Sequence, residues 1–223
     1  MMREALVVAA RELAASGLNA GSAGNLSVRV ADGMLITPSG VAPAALSAAS
    51  MAHVDHAGCA SGPLQPSTEW RFHHAIYAAR PEAGAVVHTH SPFATALACQ
   101  HRDIPAFHYM VARFGGADVR CAPYATFGTP ELSAAVTTAL IDRTACLMAN
   151  HGMTVFAADL PKALAAAHEL EVLCEHYWRT LQLGPPILLD EAEMARVLEK
   201  FRTYGRPQTA TERKTPTPGG RFA

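Results

Sequence analysis

Residues 144–184 constrain the fold more than any other stretch. "TACLMANHGMTVFA" (144–157) reads as two short apolar strands with a turn at His151 and Gly152. "DLPKALAAAHELEVLCEHYWRTLQLG" (159–184) follows at once and reads as the longest helix. Asp159 is placed to cap it, Pro161 lies in its first turn and Gly184 ends it. Leu160, Leu164, Ala167, Leu170, Cys174, Tyr177 and Leu181 recur at helical spacing, so one face is buried. Strands followed tightly by a helix with one apolar face call for a sheet with helices laid against it, an α/β domain.

The rest of the chain repeats the theme. "GNLSVRVADGMLITPSG" (24–40) reads as a hairpin in which Val28 and Val30 alternate with polar residues and Asp32 and Gly33 make the turn. "TEWRFHHAIYAARP" (68–81) reads as a helix opened near Ser67 or Thr68 and stopped by Pro81. "AGAVVHTH" is a strand, and "SPFATALACQ" is the helix after it. The first 21 residues suit an amphipathic helix ended by Gly17 or Gly21, and residues 190–205 suit a last helix capped by Asp190. Residues 53–67 are loop-rich and read as an excursion within one domain spanning 1–205. The Pro/Gly/Thr-rich tail, 206–223, is expected to be mobile.

Charge excludes some functions. Eighteen Lys+Arg against 19 Asp+Glu leave a net charge of −1, with no basic excess to suggest a nucleic-acid or membrane partner. No apolar run approaches the roughly 20 residues of a membrane span. Glu4, Arg11 and Glu12 break any secretory signal at the N-terminus. Five cysteines without a CxxC pair argue against a disulfide framework, for buried structural thiols, and for a cytoplasmic location.

The chemistry begins at "GAVVHTHSPFATALA" (84–98). Side chains alternate along a strand, so His88 and His90 project to one side. Two imidazoles so placed are able to share one ion, although hydrogen-bonded histidines at a strand end have the same spacing. His151, at the turn before Gly152, offers a third donor, and Gly152 would let a ligand or backbone approach closely. Glu69 is the carboxylate candidate, on the first turn of its helix, where the dipole alone would also favour an acid. Three imidazoles with one carboxylate or water is a common zinc arrangement. The remaining histidines (53, 56, 73, 74, 101, 108, 168 and 176) lack such spacing and read as surface or core residues. "GSAGNLS" (21–27), "TPSG" (37–40) and "PSTE" (66–69) are either simple turns or, together, an anion pocket of backbone N–H groups and hydroxyls.

Several long segments resemble a known family. "GSAGNLSVR", "DGMLITPSG", "PSTEWRFHHAIYAARPEAGAVVHTH", "IPAFHYMVARFGG", "CAPYATFGT", "NHGMTVFA" and "KALAAAHELEVL" resemble the class II aldolase/adducin family, in particular its L-fuculose-1-phosphate aldolase branch. The likeness runs from residue 5 to about Gly205. It implies a three-layer α/β/α fold with a largely antiparallel central sheet. It implies a homotetramer with active sites between subunits, and a small phosphorylated sugar as substrate. Zn2+, or a similar divalent transition metal, would be held by His88, His90 and His151, with Glu69 as a fourth ligand before substrate binds and as the proton carrier afterwards. Phosphate would sit on Asn25, Ser39, Gly40, Ser67 and Thr68. Tyr109 and Tyr204 match tyrosines that reach a neighbour's site.

The implied reaction is reversible cleavage of a ketose 1-phosphate into dihydroxyacetone phosphate and an aldehyde such as L-lactaldehyde. The lysines, Lys162, Lys200 and Lys214, lie outside the motif segments, which argues against a Schiff-base mechanism. Ser22, Ser39 and Thr68 are hydroxyl swaps relative to the branch pattern, and Asn150 stands where it carries histidine. Arg113 and Phe114 replace small residues and are expected to reshape the aldehyde side. That keeps a 5-methylthio- or 5-deoxyribulose 1-phosphate open as substrate. A pentulose-phosphate 4-epimerase, a dehydratase or a decarboxylase of the same family are rivals. An adducin-like binding module without metal is the rival from another class.

Overall fold

The computed structural model describes residues 1–203. Its frame is an eight-stranded sheet flanked by six α-helices. In chain order these are α1 (Met2–Ala15), β1 (Asn25–Val30), β2 (Gly33–Ile36), β3 (Ala52–Asp55), β4 (Ala60–Ser61), α2 (Trp70–Ala79), β5 (Ala85–Thr89), α3 (Pro92–Ala98), β6 (Cys121–Ala122), α4 (Pro130–Ala139), β7 (Ala145–Met148), β8 (Gly152–Ala157), α5 (Leu160–Leu183) and α6 (Glu191–Thr203). The strand order is β4-β3-β2-β1-β5-β8-β7-β6. Every pairing is antiparallel except β6 with β7.

Period-two alternation sorts the strand residues into two cores. Ala85, Val87, Leu147 and Val155 pack with α1, α3 and α5 on one face. Val86, Cys146, Met148 and Phe156 pack with α2 and α4 on the other. The middle strands β5 and β7 are buried throughout, as a sheet covered on both faces requires. The result is the expected three-layer α/β/α arrangement. The long helix α5 buries Leu160, Leu164, Ala167, Leu170, Cys174 and Tyr177, and leaves Leu181 half-buried. The Asp159 side chain accepts from the Lys162 backbone N–H, so the cap sits where expected.

Several expectations need correction. Residues 53–67 are not all loop: β3 and β4 extend the sheet there. The hairpin turn is Ala31 and Asp32, because Val30 pairs with Gly33. Gly33 is needed for another reason: a Cβ there would lie 2.1 Å from the Val54 carbonyl oxygen of β3. Helix α2 starts at Trp70 with Glu69 at its N-cap, later than Ser67 or Thr68. Helix α4, strand β6 and a 3-10 turn over Tyr109–Phe114 were not anticipated. Of the cysteines only Cys146 and Cys174 are buried; Cys59 and Cys99 are exposed. Phe114 packs in the core with 1% exposure, so its ring fills the interior and does not face a substrate from this chain. Tyr204 and the tail at 206–223 lie outside the described residues. Among the described residues no helix is long and apolar enough to cross a membrane.

Candidate metal centre

The site forms at one end of the sheet, where β1 begins, β5 ends and β8 begins. His88 sits in β5 opposite Asn25 of β1 and Thr154 of β8. Its parity with Val86 turns it toward α2, where its ring meets Phe72 edge-on at 5.4 Å. His90 follows just past the strand. His151 precedes β8 in a turn where Asn150 takes φ +53°, a left-handed position that asparagine tolerates. Gly152 allows the strands to close: a Cβ there would lie 2.3 Å from the Thr89 carbonyl oxygen. The crowding that Gly152 relieves is therefore backbone against backbone.

Four donors converge. Ligand atoms of Glu69, His88, His90 and His151 lie within 4.8 Å of one another. His88 Nε2 is 3.0 Å from His90 Nε2 and 3.2 Å from Glu69 Oε2. His151 Nε2 is 3.0 Å from Glu69 Oε1, yet that buried oxygen takes part in no hydrogen bond. The three rings stand at 75–81° to one another with centroids 4.8–4.9 Å apart. His88 is fully buried, and its Nδ1 donates to the Met153 carbonyl at 2.8 Å. That bond fixes the tautomer and turns the Nε2 lone pair into the cluster, as a metal ligand requires. An unpartnered carboxylate oxygen facing convergent imidazole nitrogens fits a divalent cation, and the donor set is one such an ion accepts.

The electrostatics agree. Burial opposes ionisation of Glu69, but the His88 and His151 rings beside it, in their protonated form, overturn that and hold the carboxyl well below the usual range. Burial, with help from His88 and His151 and against Glu69, pushes His90 down to about 4. His90 is thus neutral at pH 7 and able to bind a cation.

A cavity of about 320 Å³ opens beside the cluster, with Glu69, His90 and His151 on one wall. Asn25, Ser39, Gly40, Ser67 and Thr68 line the same cavity. The backbone N–H groups of Ser39 and Ser67 are already used, donating to Gln65 and Thr37 carbonyls. The loops are therefore braced against each other, and hydroxyls take over from these two N–H groups as polar lining of the cavity. Ser67 Oγ also accepts from the Glu69 backbone N–H at 3.3 Å.

Tyr109 is not brought to this cavity. It is 51% exposed and lines a second cavity against α6. Arg113 is exposed, in the same 3-10 turn. Residues that spacing did not single out take part in positioning. Asn19 Oδ1 accepts from the His90 backbone N–H at 3.2 Å. Glu171 Oε2 accepts from Ser91 Oγ, and the two Glu171 oxygens accept from the Phe93 and Ala94 N–H groups, so this carboxylate caps α3 just after His90. His73, set aside as core or surface, hydrogen-bonds Asn25. The exposed rings of Tyr124 and Phe127 line the cavity as well. Of these, only His73 had a readable signal, its four-residue spacing from Glu69.

Comparison with known proteins gives a consistent picture. Residues 4–178 match the sequence profile of the class II aldolase and adducin N-terminal domain. A 5-methylthioribulose-1-phosphate/5-deoxyribulose-1-phosphate aldolase of Rhodospirillum rubrum is 55% identical over 204 residues, covering 92% of each chain. An L-fuculose phosphate aldolase of Escherichia coli is 49% identical, over 87% of this chain and 91% of its own. A solved L-fuculose 1-phosphate aldolase superposes with a TM-score of 0.86 at 36% identity, covering 90% of this chain and 95% of that one.

Proposed function

The chain belongs to the class II aldolase and adducin family and is a lyase; on that premise we propose that it is a zinc enzyme cleaving a 5-methylthio- or 5-deoxypentulose 1-phosphate into dihydroxyacetone phosphate and the corresponding aldehyde. The observation that carries this reading is the convergence of Glu69, His88, His90 and His151 beside a cavity that is also lined by hydroxyl-bearing loops. L-Fuculose 1-phosphate, the first expectation, takes second place, because the more similar relative carries the other name.

The residues divide the work. His88, His90, His151 and Glu69 would hold zinc. When bound, the ion supplies Lewis-acid stabilisation of the negative charge left when C3–C4 breaks, worth several kcal/mol. Asn25, Ser39, Gly40, Ser67 and Thr68 bind the phosphate and so fix where along the chain the bond breaks. Glu69, ionised at neutral pH, moves the proton at the carbon that becomes, or leaves, dihydroxyacetone phosphate. A base so placed is typically worth about 10²–10⁴ in rate. Tyr109 is exposed and does not line the cavity of its own chain, which fits an assembly in which it and Tyr204 serve a neighbouring subunit, the homotetramer that the family resemblance implies. There Tyr109 would hydrogen-bond the aldehyde oxygen and, in the synthetic direction, donate its proton.

The test is a substrate panel. Zinc-loaded protein is given 5-methylthioribulose, 5-deoxyribulose and L-fuculose 1-phosphates, and dihydroxyacetone phosphate release is measured. The proposal expects the highest kcat/KM with one of the first two. A preference for L-fuculose 1-phosphate overturns the substrate assignment, and no release from any of them overturns the reaction.

A further inference from the structure

Behind Glu69, on the α2 face of the sheet, lies a row of polar side chains withdrawn from water. His73 and Ser27 have no exposure, Asn25 has 5% and Tyr77 has 7%. Tyr77 OH is 2.8 Å from Ser27 Oγ, and Ser27 Oγ is 2.7 Å from His73 Nδ1. His73 Nε2 is 2.5 Å from Asn25 Oδ1, and Asn25 Nδ2 donates to Glu69 Oε2 at 2.9 Å. The pattern is periodic in both elements. His73 and Tyr77 are four apart on α2, and Asn25 and Ser27 are two apart on β1, so each pair shares a face.

Only one placement of protons satisfies the row. An ionised carboxylate is purely an acceptor, so Asn25 must turn its NH₂ to Glu69 and its Oδ1 to His73. Oδ1 is also purely an acceptor, so His73 Nε2 must carry a hydrogen. A neutral imidazole protonated at Nε2 has its lone pair on Nδ1, so Ser27 donates there and accepts from Tyr77. Burial, aided by His88 and opposed by Glu69, pushes His73 down to about 3, so the ring holds a single proton at pH 7. The opposite placement would aim Asn25 Oδ1 at the Glu69 carboxylate.

We propose that His73 is a positioning residue that acts through Asn25. Its Nε2–H locks the Asn25 amide, so that one N–H always faces Glu69 and the second remains for substrate in the adjoining cavity. Without the lock, the buried Oδ1 loses its donor and Glu69 alone holds the amide, so the Asn25 side chain swings out of the one orientation that serves both Glu69 and the bound anion. The effect on turnover rests on the proposed aldolase reading; the placement of the proton does not.

Two measurements decide it. Long-range ¹H–¹⁵N spectra of the imidazoles in the wild-type protein should show His73 as the neutral Nε2–H tautomer at pH 7, with and without zinc. The Nδ1–H tautomer, or an imidazolium, overturns the proposal without reference to any substrate or variant. Next, His73→Phe is placed in the wild-type and Asn25→Ala backgrounds and dihydroxyacetone phosphate release is followed. The kcat should fall about 10–100-fold in the wild-type background, the usual loss when an orienting partner goes. It should fall less than about twofold in Asn25→Ala, because the path through Asn25 is already cut. His73→Gln, whose amide N–H can donate to Asn25, should recover part of the loss. Equal falls in both backgrounds would show a merely structural residue. If His73→Phe does not fold, the wild-type spectrum still decides. If wild-type protein releases nothing from any ketose 1-phosphate, the proposed function fails, and the spectrum still judges the lock.

Discussion

Replacing Glu171 should loosen the metal centre from a distance. This half-buried carboxylate on α5 accepts from Ser91 Oγ at 2.7 Å, Phe93 N–H at 2.7 Å and Ala94 N–H at 2.9 Å. The two backbone donors belong to the first turn of α3, which has no carbonyl of its own to give them. Ser91 is fully buried and directly follows His90. Glu171→Ala leaves three donors without an acceptor. Each hydrogen bond to a charged group is worth about 1.5–3 kcal/mol. Water entering the half-buried gap recovers part, so the variant should lose roughly 3–5 kcal/mol of folding stability. Glu171→Gln can place its amide oxygen on Ser91 and Ala94, but its NH₂ then faces the Phe93 N–H, so it should lose roughly 1–2 kcal/mol. Urea unfolding of metal-free protein measures both. Zinc affinity, measured by competition with a chelator, should weaken about 10–100-fold in Glu171→Ala, because His90 is no longer held at α3. A loss below about 1 kcal/mol together with unchanged zinc affinity would refute the capping role.

Gly152→Ala would set a Cβ 2.3 Å from the Thr89 carbonyl and 3.1 Å from the His90 ring, so it should cost about 1–3 kcal/mol or more and weaken zinc binding; unfolding curves and chelator competition check this. His151→Ala should reduce zinc affinity by more than the roughly 10–100-fold that loss of an outer partner costs, measured by the same competition. Acid should weaken the metal-free fold through His73. Its pKa of about 3 when folded lies below the ordinary 6.5, so below pH 6.5 the unfolded chain binds a proton that the folded one does not. The stability it contributes is lost progressively as pH falls from 6.5 toward 3, by about 2 kcal/mol between pH 7 and pH 5. The urea midpoint of His73→Phe should fall less steeply over that range, and parallel slopes would contradict the assignment.

The layered fold was legible because its strongest signals were local. Asp159 capping α5, the apolar stripe on that helix and the apolar run 85–87 each depend on neighbours in sequence. Strands β3, β4 and β6 were hidden for the opposite reason. They are two to four residues long and exist only because β2, β3 or β7 lies beside them. Gly33 illustrates the point: it resembled a turn residue, but the close approach of β3, invisible in a sequence, is what requires it. At the site, His88 and His90 declared themselves by alternation. His151 and Glu69 carry no such local signal, and folding brings His151 to His90 and Glu69 across 61 and 82 residues of chain (151−90 = 61; 151−69 = 82). Glu171 and Asn19 gave no signal, because a carboxylate or amide that caps a remote segment looks like any surface polar residue. The cavity residues were reachable through the family resemblance, whereas spacing alone left three turns.

The most direct test of the central claim is dihydroxyacetone phosphate release from 5-methylthioribulose 1-phosphate by one protein sample in three states: as purified, stripped by chelator, and restored with zinc. The account predicts release that disappears on stripping and returns with one zinc per chain. Undiminished release from the stripped protein would contradict it.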